Sequence, residues 1–471
     1  MIATDLAAVA RAVGGRVEPS GAGGVRVTGA ARHDSREVGP GDLFVAVGGQ
    51  RVDGHDHVGD ASAAGAAAAL TARPVDGLPA VVVPDGDVVA ALARLAGAQR
   101  LLLSCPVVGV TGSAGKTTAK DLLAEVLTGL GPVVAARASF NNDLGVPLTL
   151  LRADGATAAL VLEMGARGGG HVRRLCDWSR PDVGVVLNVG SAHLGEFGSR
   201  PAIAEAKGEL AEAASRRAVL NADDDLVSAM ASRARAPVTT FGLGPRADVR
   251  AVDVDVDDAA RPRFRLVAPQ GEADVSLRLT GEHLLGSVLA AATTALVLGV
   301  GVEEVAARLS AARPASPHRM ALRLRADGLA VLDDSYNANP ESVRAALRTL
   351  QVLGRRRGAR TTAVLGVMAE LGETSREEHM DVGRFAVRLD PDQLVVVGPD
   401  AGGIHAGAVL EGSWGEESVH VDDVDAAVGR LRDRVGPGDV VLVKASRAAR
   451  LERVVDALLG DDEVPAEDTA G

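Results

Sequence analysis

A chain of 471 residues is longer than one hydrophobic core usually supports, so about two to four domains are expected. Its net charge of −12 argues against a polyanionic partner such as DNA, and 2% aromatic residues leave no base-stacking platform for nucleic acid. With 47% hydrophobic and 24% charged residues the composition is that of a folded protein, and two cysteines, Cys105 and Cys176, are too few for a disulfide framework, which points to a reducing cytoplasm. The first residues lack the basic start and unbroken apolar stretch of a signal peptide, and the longest apolar patches are too short to span a bilayer.

Taken in chain order, residues 25–83 carry strand-like segments at Leu43–Val47 and Ala80–Val83, Gly and Pro turns, and an Ala-rich stretch that reads as helix. A helix from about Asp87 to Leu103 leads out of this small α/β unit, and Cys105-Pro106 ends it before a strand at Val107–Val110. Strand and helix patterns then alternate: helix Lys116–Leu130, strand Ala158–Leu162, helix His171–Trp178, strand Val183–Val189, helix Pro201–Ala214 and strand Ala218–Leu220. Such alternation predicts a doubly wound, mostly parallel sheet. Between Val249 and Leu279 the period changes to two, predicting an antiparallel extension before a helix at Ser287–Leu298. A third α/β set, with strands at Leu329–Leu332, Thr361–Leu365, Leu394–Val397 and Val440–Val443, follows the loop 313–317. The expected organisation is therefore α/β in three domains: a small N-terminal unit (1–104), a central phosphate-loop domain (105–312) and a Rossmann-like C-terminal domain (313–460). An unstructured acidic tail (461–471) would close the chain.

The segment Gly109-Val-Thr-Gly-Ser-Ala-Gly-Lys-Thr-Thr118 follows a predicted strand and opens a predicted helix, the setting a phosphate loop requires. Glycines let backbone N–H groups converge on phosphate oxygens, Lys116 offsets the terminal phosphates, and the Thr117 hydroxyl suits Mg²⁺. Thr111, Gly112, Ser113, Ala114, Gly115, Lys116, Thr117 and Thr118 are thus the expected triphosphate contacts, although the strict pattern would place Gly where Val110 stands. Glu163 and His193 fall at the carboxyl ends of parallel strands, where α/β sheets place ligands. Taken alone, His193 reads equally as a loop histidine, Glu163 as a helix cap and Lys207 as a solvated surface lysine. Asp34-Ser-Arg36, Asn141-Asn142 and Asp333-Asp-Ser-Tyr-Asn-Ala-Asn339 lie at segment ends, where capping explains any one of them as well as ligand contact does.

In order along the chain, DSREVGPGDLFVAV, DGHDH, GVTGSAGKTTAKDL, SFNNDLGVPLTLL, LEMGARG, NVGSAHLGEFGS, AKGEL, DDSYNANPESVRAAL, MAELGE with a later His379, and VLVKASR resemble the Mur ligase family. Within it they are most similar to the enzymes that add D-alanyl-D-alanine to UDP-N-acetylmuramoyl-tripeptide. The resemblance implies a cytoplasmic, monomeric, ATP-dependent amide ligase of cell-wall synthesis working through an acyl phosphate. Its partners would be the UDP-linked tripeptide and a D-dipeptide, its cofactor Mg²⁺, as two ions, with no nucleic acid and no membrane insertion. Carried onto this chain, Lys116 contacts phosphate, and Thr117, Glu163 and His193 hold metal. Lys207 matches a lysine carbamoylated by CO₂, which replaces its surface reading. Arg319, Asp334 and Tyr336 meet ATP, Ser35 and Arg36 lie near the UDP group, and Lys444, Ser446 and Arg447 face the incoming amine. Asn141 and Asn142 are added as substrate contacts. The chain departs from the family at Leu284 and Ser287, where asparagines are usual, at His318, usually Gly, and at Val367, usually acidic. A relative using another amine, such as D-alanyl-D-lactate, or serving a natural-product pathway is the alternative; a non-catalytic nucleotide sensor is a third reading.

Overall fold

The computed structural model describes residues 1–49, 52–190, 194–413 and 415–464. Among them the strands form three large α/β sheets. In the N-terminal unit five short strands order as Arg16–Glu18, Ala80–Val82, Ala68–Thr71, Leu43–Val45 and Ala31–Arg32, parallel except for the first. The Ala-rich stretch expected as helix is split into helix Val58–Ala63 and strand Ala68–Thr71. All four residues of that strand are buried, so no period-two alternation marks it in the sequence.

The central sheet has nine strands. Its parallel core places Val107–Thr111 between Ala159–Glu163 and Val183–Val186, with Arg217–Asn221, Val238–Gly242 and Val249–Val256 beyond. The period-two region forms the antiparallel extension Val249–Val256, Pro262–Ala268 and Gly271–Ser276. The C-terminal sheet runs Ser418–Val421, Gln393–Val397, Thr361–Leu365, Val440–Lys444 and Ala330–Asp334 in parallel, then Ala321–Arg325 antiparallel. The tail expected to be unstructured from residue 461 instead adds Glu463–Val464 to this sheet edge, where Glu463 accepts both arms of the Arg323 guanidinium at 2.7 and 2.6 Å. Residues 465–471 lie outside the described residues. No described helix is long and apolar enough to cross a membrane.

The phosphate-loop helix, Lys116–Val126, turns Ala119, Leu122, Leu123 and Val126 onto the sheet and against helix Leu285–Val297. On the opposite face, helix Arg200–Ala213 lies directly over two strand positions that lack side chains. A Cβ on Gly109 would come within 2.9 Å of Leu210 Cδ1, and one on Gly184 within 2.7 Å of the Leu210 carbonyl oxygen. The absence of these side chains lets the helix bearing Lys207 seat itself under the phosphate loop. Val110, where the strict motif has Gly, is fully buried inside the strand and serves the core.

The Leu210 carbonyl is backbone and cannot yield as a side chain would. Gly184→Ala is therefore expected to cost about 1–3 kcal/mol of stability, read by denaturant unfolding followed with probes in the central domain. A neutral substitution would refute this account of the helix seat.

Candidate functional site

Three parallel strands end at one edge of the central sheet, and each delivers a polar group there. Val107–Thr111 leads into the loop, Ala159–Glu163 ends on Glu163, and Asn188 lies two residues past Val183–Val186. Asn188 splints the loop: its Oδ1 accepts from the Ser113 and Ala114 N–H groups at 3.0 and 2.9 Å, and its Nδ2 donates to the Ala114 carbonyl at 3.0 Å. Ser113 Oγ accepts in turn from Gly190 N at 2.9 Å. Gly115 takes φ +79° immediately before the helix, a left-handed turn that glycine adopts without penalty. Lys116 Nζ donates back to the Gly112 carbonyl at 2.7 Å, and burial lowers its pKa against the opposing charge of Glu163.

Thr117 and Glu163 meet at the base of the loop. The Thr117 hydroxyl donates to Glu163 Oε2 at 2.9 Å, and Asn141 Nδ2 donates to Oε1 at 2.9 Å, so both oxygens of a 1% exposed carboxylate are oriented. These groups line a cavity of about 550 Å³ between the central and C-terminal domains, the size of a small-molecule site. Of the expected triphosphate contacts, Ser113 to Thr118 line it. Thr111 does not: its hydroxyl, fully buried, donates to the Met164 carbonyl at 2.9 Å and ties two strands together. Gly112 instead makes room for Leu187, whose Cβ lies 2.9 Å from where a Cβ would stand.

Lys207 sits in the buried face of helix Arg200–Ala213 beside this centre and does not line the cavity. Burial, then the like charge of Lys116, holds its pKa well below the ordinary lysine value, with no carboxylate of the described residues opposing them. The sequence reading of a solvated lysine failed because helical periodicity does not reveal that two glycines draw this helix onto the sheet. His193 lies outside the described residues.

The C-terminal domain supplies the other wall. Arg319 stacks over the Tyr336 ring at 4.2 Å, and Arg447, itself exposed, approaches the same ring at 5.3 Å. Burial acts to raise the Tyr336 pKa, but the Ser139 hydrogen bond and the two arginines outweigh it and leave the phenol below its ordinary value. Lys444 forms a buried ion pair with Asp334 and donates to the Asn337 carbonyl at 2.8 Å; burial raises the Asp334 pKa against that partner. Ser446 is also buried, its Oγ accepting from Ala369 N at 2.9 Å, so it joins two loops and does not line the cavity.

Of the other expected contacts, Asn141 and Asn142 both line the cavity, and Asn142 also uses its Oδ1 to accept from the Leu144 and Gly145 N–H groups at the start of helix Gly145–Leu150. Ser35 and Arg36 stand apart, in a 3₁₀ turn of the N-terminal unit where Arg36 is paired to Asp34 at 2.6 Å. Sequence reasoning passed over Asn188, Ser139 and Glu370. Asn188 carried a usable signal, an amide just past a strand that ends beside the phosphate-loop strand. Glu370, at φ +65° in a C-terminal-domain loop, comes near enough to act on the Lys116 charge.

Three of the four departures have local explanations. His318 occupies φ +59°, a left-handed backbone that costs a non-glycine residue about 1 kcal/mol. Its Nδ1 lies 2.8 Å from Asp333 Oδ2, a hydrogen bond that glycine could not make. Met320 is left-handed too, at φ +50°, so the chain kinks on both sides of Arg319 and turns it onto Tyr336. Ser287 Oγ donates to the Gly115 carbonyl at 3.3 Å and buttresses the loop, while Leu284 packs into the core at the cavity wall. Val367 accepts from Ser446 N at 2.9 Å through its backbone carbonyl, a bond any residue would make, and nothing in the structure explains its side chain.

Residues 30–100, 110–295 and 318–447 match, respectively, the Mur ligase family catalytic domain, the Mur ligase middle domain and the Mur ligase glutamate ligase domain. The chain is 49% identical to the UDP-N-acetylmuramoyl-tripeptide--D-alanyl-D-alanine ligase of Mycobacterium tuberculosis, over 98% of this chain and 99% of that one. It is 35% identical to the Escherichia coli enzyme of the same name, over 90% and 92%. A crystal structure of MurF from Acinetobacter baumannii superposes with a TM-score of 0.86 at 30% identity, covering 97% of this chain and 99% of that one. The Thermotoga maritima MurF ligase in complex with ADP superposes at 0.78 with 33% identity, covering 92% and 97%. With its three domains, its phosphate loop and these relatives in agreement along the whole length, the chain belongs to the Mur ligase family.

Proposed function

We propose that the protein joins D-alanyl-D-alanine to UDP-N-acetylmuramoyl-tripeptide at the expense of ATP, making a peptidoglycan precursor. The observation that carries this reading is the single cavity in which the phosphate loop, the Thr117–Glu163 pair and the Arg319–Tyr336 stack face one another across two domains. A carboxylate is a poor electrophile, so the substrate carboxylate first attacks the γ-phosphate and leaves ADP. The amine of the dipeptide then attacks the acyl phosphate, and phosphate departs from the tetrahedral intermediate. Loop N–H groups and Lys116 would hold the β- and γ-phosphates, and Arg319 would close on them from the other domain. Water kept out of the cleft by that domain would spare the acyl phosphate from hydrolysis.

The donor set at the base of the loop, one hydroxyl and one buried carboxylate, is all oxygen and fits Mg²⁺. Bound there, as one of two ions, Mg²⁺ would offset the crowded charge of phosphate and carboxylate. Thr117 and Glu163 would hold it, with His193 as a further ligand in this reading. Lys207 fits a carbamate role because its amine is buried and biased toward the neutral form, the form that attacks CO₂. The carbamate would then present an anion where an ammonium would repel metal. Ser35 and Arg36 would meet the UDP group, and Lys444, Ser446 and Arg447 would frame the amine side, Lys444 directly and Ser446 by fixing the loop around it.

Phosphate release with UDP-N-acetylmuramoyl-tripeptide, ATP and Mg²⁺ tests the assignment. Release should require D-alanyl-D-alanine; release only with D-alanyl-D-lactate or a single amino acid would overturn it. Lys207→Ala should lower kcat by at least about a hundredfold, with partial recovery on adding short carboxylates. Unchanged turnover in that variant would remove the carbamate from the account.

A further inference from the structure

We propose that Ser139 is a positioning residue that passes seating of the C-terminal domain to the Glu163 carboxylate, so that the Thr117–Glu163 pair is set for metal only when that domain is in place. The inference rests on Thr117 and Glu163 being the metal-holding pair.

Ser139 belongs to the central domain, yet both partners of its hydroxyl come from the C-terminal one. Arg319 Nη2 donates to Ser139 Oγ at 3.1 Å, and the Tyr336 hydroxyl lies 3.3 Å from it. Those two residues are stacked on each other, so they arrive as one rigid unit. Two residues further along, Asn141 Nδ2 donates to Glu163 Oε1, while the Asn141 carbonyl accepts from Gly165 N at 2.8 Å, just past the strand that carries Glu163. Glu163 Oε2 takes the Thr117 hydroxyl. Two sets of hydrogen bonds, joined by the short covalent stretch from Ser139 to Asn141, thus link the C-terminal domain to the base of the phosphate loop.

The segment between these contacts is not held by regular secondary structure. It is a turn with Ala138 at φ +45°, a conformation that persists in a non-glycine residue only where the surroundings impose it. Those surroundings come from all three domains: Arg137 reaches Glu37 of the N-terminal unit at 3.4 Å, and Phe140 meets the His33 ring edge-on at 5.8 Å. With the C-terminal contact removed, the turn loses the restraint that reports the seating of that domain, and the Asn141 amide is held less firmly in its aim at Glu163.

The experiment uses the full chain and titration calorimetry of a non-hydrolysable ATP analogue, with and without Mg²⁺. In the wild type Mg²⁺ should tighten binding. In Ser139→Ala that tightening should shrink about five- to tenfold, the size expected for lost hydrogen bonds, while metal-free affinity stays within about twofold. kcat should fall about tenfold, and Ser139→Thr, which keeps the hydroxyl, should restore both readouts. Wild-type tightening and turnover in Ser139→Ala would overturn the proposal, and so would equal losses with and without metal, the mark of simple structural damage. If the wild type itself gains no affinity from Mg²⁺, the metal assignment of Thr117 and Glu163 falls, and the relay with it; an unchanged Ala variant beside a responsive wild type removes the relay alone.

Discussion

The hydrogen bond from the Thr117 hydroxyl to Glu163 is the contact on which the rest of the site depends, because it exists only if strand register, loop shape and helix start all agree. Glu163 pairs in register with Val110, so the carboxylate emerges level with the loop that begins two residues later. Gly115 turns the chain left-handed into the helix, which places Thr117 in its first turn facing back toward the sheet. A slip of one residue in either strand would put Glu163 on the opposite face.

Around that contact the domains contribute unequal chemistry. The central domain supplies the loop N–H groups and oxygen donors, while the C-terminal domain supplies cationic and aromatic groups on the opposite wall of the cavity. Its loop bearing Glu370 is braced by His379, whose Nε2 accepts from Met368 N at 2.9 Å and whose Nδ1 donates to the Ser375 carbonyl at 2.6 Å. Nearby, Gly195 and Gly372 approach so closely that a Cβ on Gly195 would stand 3.1 Å from Gly372 Cα. Small residues at that junction allow the two domains to meet without a side chain between them.

What the sequence made legible was local. Gly-Lys-Thr-Thr at a strand-to-helix junction has a shape set by residues within a few positions of one another, and the period-two region could be read as antiparallel for the same reason. What it concealed was set by distant neighbours. Lys207 is buried because Gly109 and Gly184, about 100 and 20 residues away in the chain, leave room for its helix. Ser446 lies in a motif that suggests ligand contact, yet tertiary packing spends its hydroxyl on a backbone N–H. Thr111 is drawn into the sheet by Met164, and the Ala-rich strand Ala68–Thr71 is hidden by burial on both faces. The His318 departure becomes intelligible only once its left-handed backbone and its Asp333 partner are known.

In the proposed reaction the cavity activates a carboxylate by phosphoryl transfer before the amine arrives. The most direct measurement is ligation with UDP-N-acetylmuramoyl-tripeptide labelled with ¹⁸O in its reacting carboxyl group, followed by mass analysis of the phosphate released. Passage through an acyl phosphate predicts transfer of one labelled oxygen from the carboxylate to phosphate for each amide bond formed. Unlabelled phosphate, with the displaced heavy oxygen appearing in water instead, would contradict it.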